Sequence, residues 1–91
     1  MAHKRDLRAW VVEALRSLGG RGSVLEVSRV VWQLHETELR QSGDLFYTWQ
    51  YDVRWAAQGL RESGYLKAVE TDRRAPWTLT AAGRETELSN F

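Results

Sequence analysis

Three stretches of the chain repeat apolar residues three and four positions apart, which is the spacing of an amphipathic helix. The first stretch ends at Gly19-Gly20, where a backbone free to take positive φ is expected to stop a helix. The second follows Ser23, which has the spacing of a capping box with Glu26, and it is expected to end near residues 35–38. The inward-facing positions predicted for these two helices are Leu7, Trp10, Val11, Ala14, Leu15, Leu18, Val27, Val30, Val31 and Leu34.

The third stretch, WQYDVRWAAQGLRESGYL, predicts a helix that follows a turn at residues 42–44, is capped by Thr48 and is stopped by Gly64. Its expected buried face is Trp49, Val53, Ala56 and Leu60, with Trp55 beside it.

Beyond Gly64 the apolar residues alternate, which predicts two short strands. The first strand is expected to start near Tyr65 and Leu66, and the second carries Trp77 and Leu79. Thr80 is expected to cap a last short helix, AAGRETEL.

This order predicts a mainly α fold with a small β-hairpin, specifically a winged helix-turn-helix in one domain over residues 1–91. The expected parts are a three-helix core, a two- to three-stranded wing and a short C-terminal helix. Such a fold brings the third helix and the wing tip, with Arg73 and Arg74, to one side of the molecule, a geometry suited to duplex DNA. The large aromatic residues expected in the core are Trp10, Trp32, Trp55 and Trp77.

The composition limits the kinds of site that the chain can form. The chain has no Cys and only two His, so we expect neither disulfides nor a metal site nor a cofactor, and the expected setting is the reducing cytoplasm. No apolar run is long enough for a membrane span, and the N terminus does not have the pattern of a signal peptide. His3 and His35 have no evident partner at catalytic spacing, so an enzyme is not expected from these residues alone.

Net charge is +1, which by itself argues against strong binding to nucleic acid. A local cluster of basic residues would matter more than the total, because phosphates respond to the nearby field. The clustered basic residues are Lys4, Arg5 and Arg8 at the start, and Arg54, Arg61, Arg73 and Arg74 on the third helix and wing.

Two segments, VRWAAQGLRESGYL and APWTLTAAGRE, resemble the Mrr-type N-terminal domain, a winged helix found on modification-dependent restriction endonucleases. The family pattern begins V-R-W-A in the third helix and continues W-x-L-T-x-x-G-R after the wing. Tyr51 and Asp52 replace a usual Asn-Arg pair, and Pro76 replaces a frequent Gly. The matching residues are Val53, Arg54, Trp55, Ala56, Leu60, Gly64, Trp77, Leu79, Thr80, Gly83 and Arg84.

The resemblance implies a domain that targets a fused or partner nuclease to modified double-stranded DNA, with N6-methyladenine as the specific expectation. An aromatic face would cover the methyl group while Gln50 bonds the adenine edge. The methyl-reading candidates are Trp49, Tyr47 and Tyr51; alternatively, Phe46, Tyr47 and Trp49 cover a cleft between the second and third helices. The full set of expected DNA-contacting residues is Tyr47, Thr48, Trp49, Gln50, Tyr51, Arg54, Gln58, Arg61, Arg73 and Arg74.

Two other functions fit the same pattern. A sequence-specific transcriptional regulator would bind unmodified DNA and bury its aromatic residues. A winged helix used for protein interaction or dimerisation would suit the near-neutral charge and would place exposed aromatic residues at the interface.

Overall fold

The computed structural model describes residues 2–68 and 75–91, and in these residues the protein is mainly helical with a small two-stranded antiparallel sheet. Val69 and the expected wing-tip residues Arg73 and Arg74 lie outside the described residues. The elements are α1 (Asp6–Ser17), β1 (Arg21–Gly22), α2 (Val24–Arg40), α3 (Leu45–Glu62), β2 (Trp77–Thr78), α4 (Ala81–Glu85) and a 3₁₀ turn (Leu88–Asn90).

The end of α1 confirms the prediction made from its glycine pair. Gly19 and Gly20 have φ angles of 85° and 98°, and the Gly20 N–H donates to the Leu15 carbonyl at 2.6 Å. The chain then passes directly into β1, because these two residues reverse its direction without a longer loop.

Helix α2 begins with the predicted capping box and extends further than predicted. The Ser23 hydroxyl accepts from the Glu26 N–H at 3.1 Å, and the Glu26 carboxylate accepts from the Ser23 N–H at 3.0 Å. The helix reaches Arg40, with non-helical backbone angles at His35 (φ −131°, ψ 21°). The prediction that Leu34 faces inward is wrong: Leu34 is 49% exposed, because His35 takes the inward position four residues after Val31.

Helix α3 starts at Leu45, one turn before the predicted start, so the prediction of Thr48 as its cap is wrong. Leu45 is buried four residues before Trp49, and burial of this extra turn places Thr48 inside the helix. The Thr48 hydroxyl instead donates to the Asp52 carboxylate at 2.7 Å. The expected stop is confirmed at Gly64, which has φ 85°.

The sheet joins segments that are distant in the sequence. β1 pairs antiparallel with β2, with Gly22 opposite Trp77, and a single bridge joins Leu66 to Leu79. The predicted second strand is therefore confirmed, whereas within residues 65–68 the predicted first strand is reduced to the bridge at Leu66. The Thr80 hydroxyl accepts from the Gly83 N–H at 3.2 Å, which confirms the predicted cap of α4.

Helix α4 is shorter than predicted and is held against α1. The Arg16 guanidinium donates to the Gly83 carbonyl at 3.0 Å and also to the Thr86 carbonyl. Thr86 is extended (φ −67°, ψ 137°), so the helix ends at Glu85.

The core lies among the three long helices and the sheet. Trp10 and Trp77 are buried, as predicted, and Trp32 is half-buried against the core. The prediction that Trp55 is a core residue is wrong, since it is 41% exposed. Its ring is covered by cations instead: the Lys4 ammonium lies 4.4 Å from the ring centroid and the Arg8 guanidinium 5.1 Å.

Candidate nucleic-acid interface

The outward side of α3 carries five of the ten residues expected to contact DNA. Tyr47, Gln50, Tyr51, Arg54 and Gln58 are all exposed, and we call these five residues the outer strip of α3. They fall on one side of the helix because successive members are separated by three or four residues, or are neighbours on that side. Tyr47 and Tyr51 are 83% and 77% exposed, so each presents nearly a whole aromatic ring to solvent.

Trp49, by contrast, faces the interior. It is 5% exposed, and its ring stacks on Trp32 with centroids 5.8 Å apart and planes 11° apart. This placement agrees with the alternative that Trp49 covers the cleft between the second and third helices. Tyr47 and Tyr51 are therefore the exposed members of the three methyl-reading candidates.

Two further expected contact residues are partly engaged within the protein. Thr48 is exposed, but its hydroxyl donates a hydrogen bond to the Asp52 carboxylate. Arg61, which was also expected to contact DNA, is half-buried, and its guanidinium lies 5.8 Å from the centroid of the Trp77 ring. Burial lowers the pKa of Arg61, but an arginine remains cationic at neutral pH.

A groove runs between α2 and α3 beside the outer strip, and we call it the α2–α3 groove. One part has a volume of about 450 Å³ and is lined by Leu25, Ser28, Arg29, Trp32, Gln33, Phe46, Trp49 and Gln50. The adjoining part is lined by Val24, Leu25, Ser28, Gln50, Tyr51 and Arg54. The two parts share Leu25, Ser28 and Gln50, so together they form a continuous feature.

The contribution of α2 to this groove was missed in the sequence. Leu25, Arg29 and Gln33 recur every four residues on a side of α2 that does not face the core. Leu25 is an exposed apolar residue off the buried face, and this was the signal available in the sequence.

Charge in the α2–α3 groove is of one sign. Arg29 and Arg54 line it, and no Asp or Glu is among its described lining residues. Arg40 lies nearby, with its guanidinium 5.2 Å from the centroid of the Trp32 ring, and it is paired with Glu36 at 2.8 Å. The groove is therefore suited to an anionic ligand.

His35 contacts two carboxylates that the sequence analysis did not pair with it. Its ring stacks on Trp10 with centroids 3.9 Å apart, and its Nε2 and Nδ1 lie 2.6 Å from a Glu13 oxygen and 2.8 Å from a Glu38 oxygen. Both nitrogens can donate to these carboxylates only when the ring is doubly protonated. The contacts join α1 to α2 on a face that contributes nothing to the groove lining.

Two of the basic residues near the N terminus, Lys4 and Arg8, contact side chains of α3. Lys4 and Arg8 cover Trp55, and the Lys4 ammonium lies 3.9 Å from the Asp52 carboxylate. In residues 2–68 and 75–91, no group of three or more His, Cys, Asp or Glu side chains is placed to hold a metal ion. No helix in those same ranges is both long and apolar enough to cross a membrane.

Comparison with known proteins gives no match: no protein-family model, curated protein or solved structure is significantly similar to this chain. The resemblance to the Mrr-type domain therefore rests on the sequence segments quoted above.

Proposed function

We propose that this chain is a winged-helix domain that binds duplex DNA by placing the outer strip of α3 in the major groove. The observation that carries the proposal is the strip itself, where two exposed tyrosines stand beside a carboxamide and a guanidinium. The major groove admits an α-helix, and these side chains are the types that contact base edges and phosphates there.

The sheet supports the winged-helix part of the proposal. The β1–β2 pairing and the Leu66–Leu79 bridge bring three chain segments together beside the helices, as a two- to three-stranded wing requires. The order of elements also supports the proposal: two helices, a tight turn at Gly43 and a long third helix come before β2.

We further propose that the domain reads N6-methyladenine and, by its resemblance to the Mrr-type domain, targets a nuclease to modified DNA. Gln50 can bond the adenine edge through its amide, while the exposed faces of Tyr47 and Tyr51 exclude water from the methyl group. Covering one methyl is worth about 0.8 kcal/mol, or roughly a fourfold preference. Two symmetric methyl groups bound by two copies would give roughly fifteenfold.

The test is capture of a randomised duplex pool, prepared with and without adenine methylation, at physiological salt. We expect the methylated pool to be captured preferentially and Tyr51→Ala to remove that preference. Arg54→Ala should weaken binding to both pools, and if Arg54 contacts phosphate the salt slope falls by about 0.9. Arg21→Ala removes the same charge from an exposed residue of β1 that belongs to neither the strip nor the groove lining, and it serves as the matched control.

Each other outcome favours a different function. Equal capture of the two pools would leave a binder of unmodified DNA, such as a sequence-specific regulator. Failure to capture either pool, even at low salt, would refute DNA binding and favour a protein-contact module, to which the exposed tyrosines and the net charge of +1 are also suited.

A further inference from the structure

The inner part of the α2–α3 groove has an aromatic wall. The Trp32 ring lies 6.4 Å from that of Phe46 and is backed by the stacked ring of Trp49. The volume of about 450 Å³ is within the range of roughly 300–1,000 Å³ typical of small-molecule sites. A flat, unsaturated ring is the ligand shape that packs best on such a wall.

Polar groups surround this wall. Ser28, Gln33 and Gln50 line the groove, and none of their side chains is hydrogen-bonded to another described residue. Each carboxamide offers two donors and one acceptor that a ligand edge can use. The cations at Arg29 and Arg54 lie in the lining of the same groove.

An aromatic wall, carboxamides and cations together match the face, the edge and the phosphate of a nucleotide. We propose that the α2–α3 groove binds one nucleotide whose base is turned out of the bound duplex. This inference rests on the proposed function and deepens it: the modified base that the outer strip meets in the major groove is then held in the α2–α3 groove, where Tyr51 is among the lining residues and Tyr47 is not.

The duplex is the source of this nucleotide because the strip and the groove share residues. Gln50, Tyr51 and Arg54 belong to the outer strip and also line the outer part of the groove. When α3 presents these side chains to DNA, the opening of the α2–α3 groove therefore lies beside the DNA strand that they contact. A base inside the stack shows only its edge, whereas an extruded base can also pack against the aromatic wall formed by Trp32 and Phe46.

The experiment compares two duplexes that differ only at the partner of one N6-methyladenine, which is either thymine or an abasic site. We expect the duplex with the abasic partner to bind about tenfold more tightly, because its base is extruded without breaking a pair. In the paired duplex, the thymine left behind should become reactive to permanganate when the protein is added.

Variants of the groove sharpen the test. Gln33→Ala should reduce the preference for the abasic-partner duplex, while Gln41→Ala removes the same side chain at the end of α2, outside the groove lining. Trp32→Phe keeps an aromatic ring and should retain the preference, whereas Trp32→Ala should abolish it. Gln33 is exposed, so its variant tests the site even if Trp32→Ala fails to fold.

Equal affinity for the two duplexes with an unreactive thymine would overturn the nucleotide site while leaving duplex binding intact. Loss of binding to every duplex would overturn the proposed function itself. Competition by free N6-methyl-dAMP, without any thymine reactivity, would overturn the duplex as the source and show a free-nucleotide site.

Discussion

Replacing Trp49 and Tyr51 by alanine, one at a time, separates an aromatic residue that holds the fold from one that contacts DNA. Trp49 is 5% exposed and stacked on Trp32, so its truncation should cost about 3–5 kcal/mol. A domain of 91 residues has a total stability of about 5–14 kcal/mol, so this loss is a large part of the whole. Tyr51 is 77% exposed, and its truncation should change stability by no more than about 0.5 kcal/mol.

The assay is thermal unfolding followed by circular dichroism, with DNA capture measured on the same samples. One kcal/mol shifts Tm by about 4–8 °C in a domain of this size. Trp49→Ala should therefore lower Tm by about 12–40 °C and lose binding to methylated and unmethylated DNA in parallel, as the protein unfolds. Tyr51→Ala should keep its Tm within about 4 °C and lose the preference for methylated DNA. Tyr47→Ala is the matched second exposed variant.

The opposite behaviour of the two variants would refute these roles of Trp49 and Tyr51. A Trp49→Ala protein with nearly unchanged Tm and selective loss of methyl discrimination would mean that Trp49 contacts the DNA directly. A Tyr51→Ala protein that melts far below the wild type would mean that Tyr51 supports the fold, and the outer strip would lose its main contact residue.

Three further predictions follow from the described contacts. Gly83→Ala would place a Cβ 2.2 Å from the Tyr65 carbonyl oxygen, so we expect the free energy of unfolding in urea to fall by about 1–3 kcal/mol. An unchanged urea midpoint would show that the backbone relaxes to accommodate the methyl group. Hydrogen bonds from the helix N-cap residue lower the pKa of Glu26 below its ordinary 4.5, so its stabilising effect is present above about pH 4.5 and is lost as pH falls through the folded-state pKa. The Tm difference between wild type and Glu26→Ala should thus be larger at pH 7 than at pH 2; a constant difference would contradict it. Gln50→Glu puts a carboxylate in the groove and should weaken DNA binding about fivefold or more at low salt. Gln41→Glu makes the same charge change outside the groove lining and should not weaken binding. Equal effects of the two variants would mean that the groove does not contact the DNA.

The parts of the fold that were predictable from the sequence are those set by local chemistry. Ser23 with Glu26, Thr80 and Gly64 each fix a helix end through bonds or backbone angles within a few residues. The start of α3 was not predictable in this way, because burial of Leu45 against other helices decides it.

The candidate site was predictable on α3 and not on α2. Gln50 and Arg54 on α3 were predicted as DNA contacts from the sequence, but the groove also requires Arg29 and Gln33 from a second helix. His35 shows the same limit: its carboxylate partners include Glu13 on α1, which is 22 positions away in the sequence. Contacts of this kind follow from helix packing, so no periodicity within one helix reveals them.

The net charge of +1 does not describe the surface that the proposed ligand would meet. α2 and α3 carry five carboxylates, and each is hydrogen-bonded within the protein. Their partners are the capping-box residue, a guanidinium, an imidazole, a hydroxyl and a carboxamide. These carboxylates are Glu26, Glu36, Glu38, Asp52 and Glu62. None of them lines the described part of the groove, where Arg29 and Arg54 face the open space. A phosphate responds to the charges near it rather than to the net charge of the whole chain. A nearly neutral chain can therefore present a cationic groove when its acidic residues are hydrogen-bonded outside that groove.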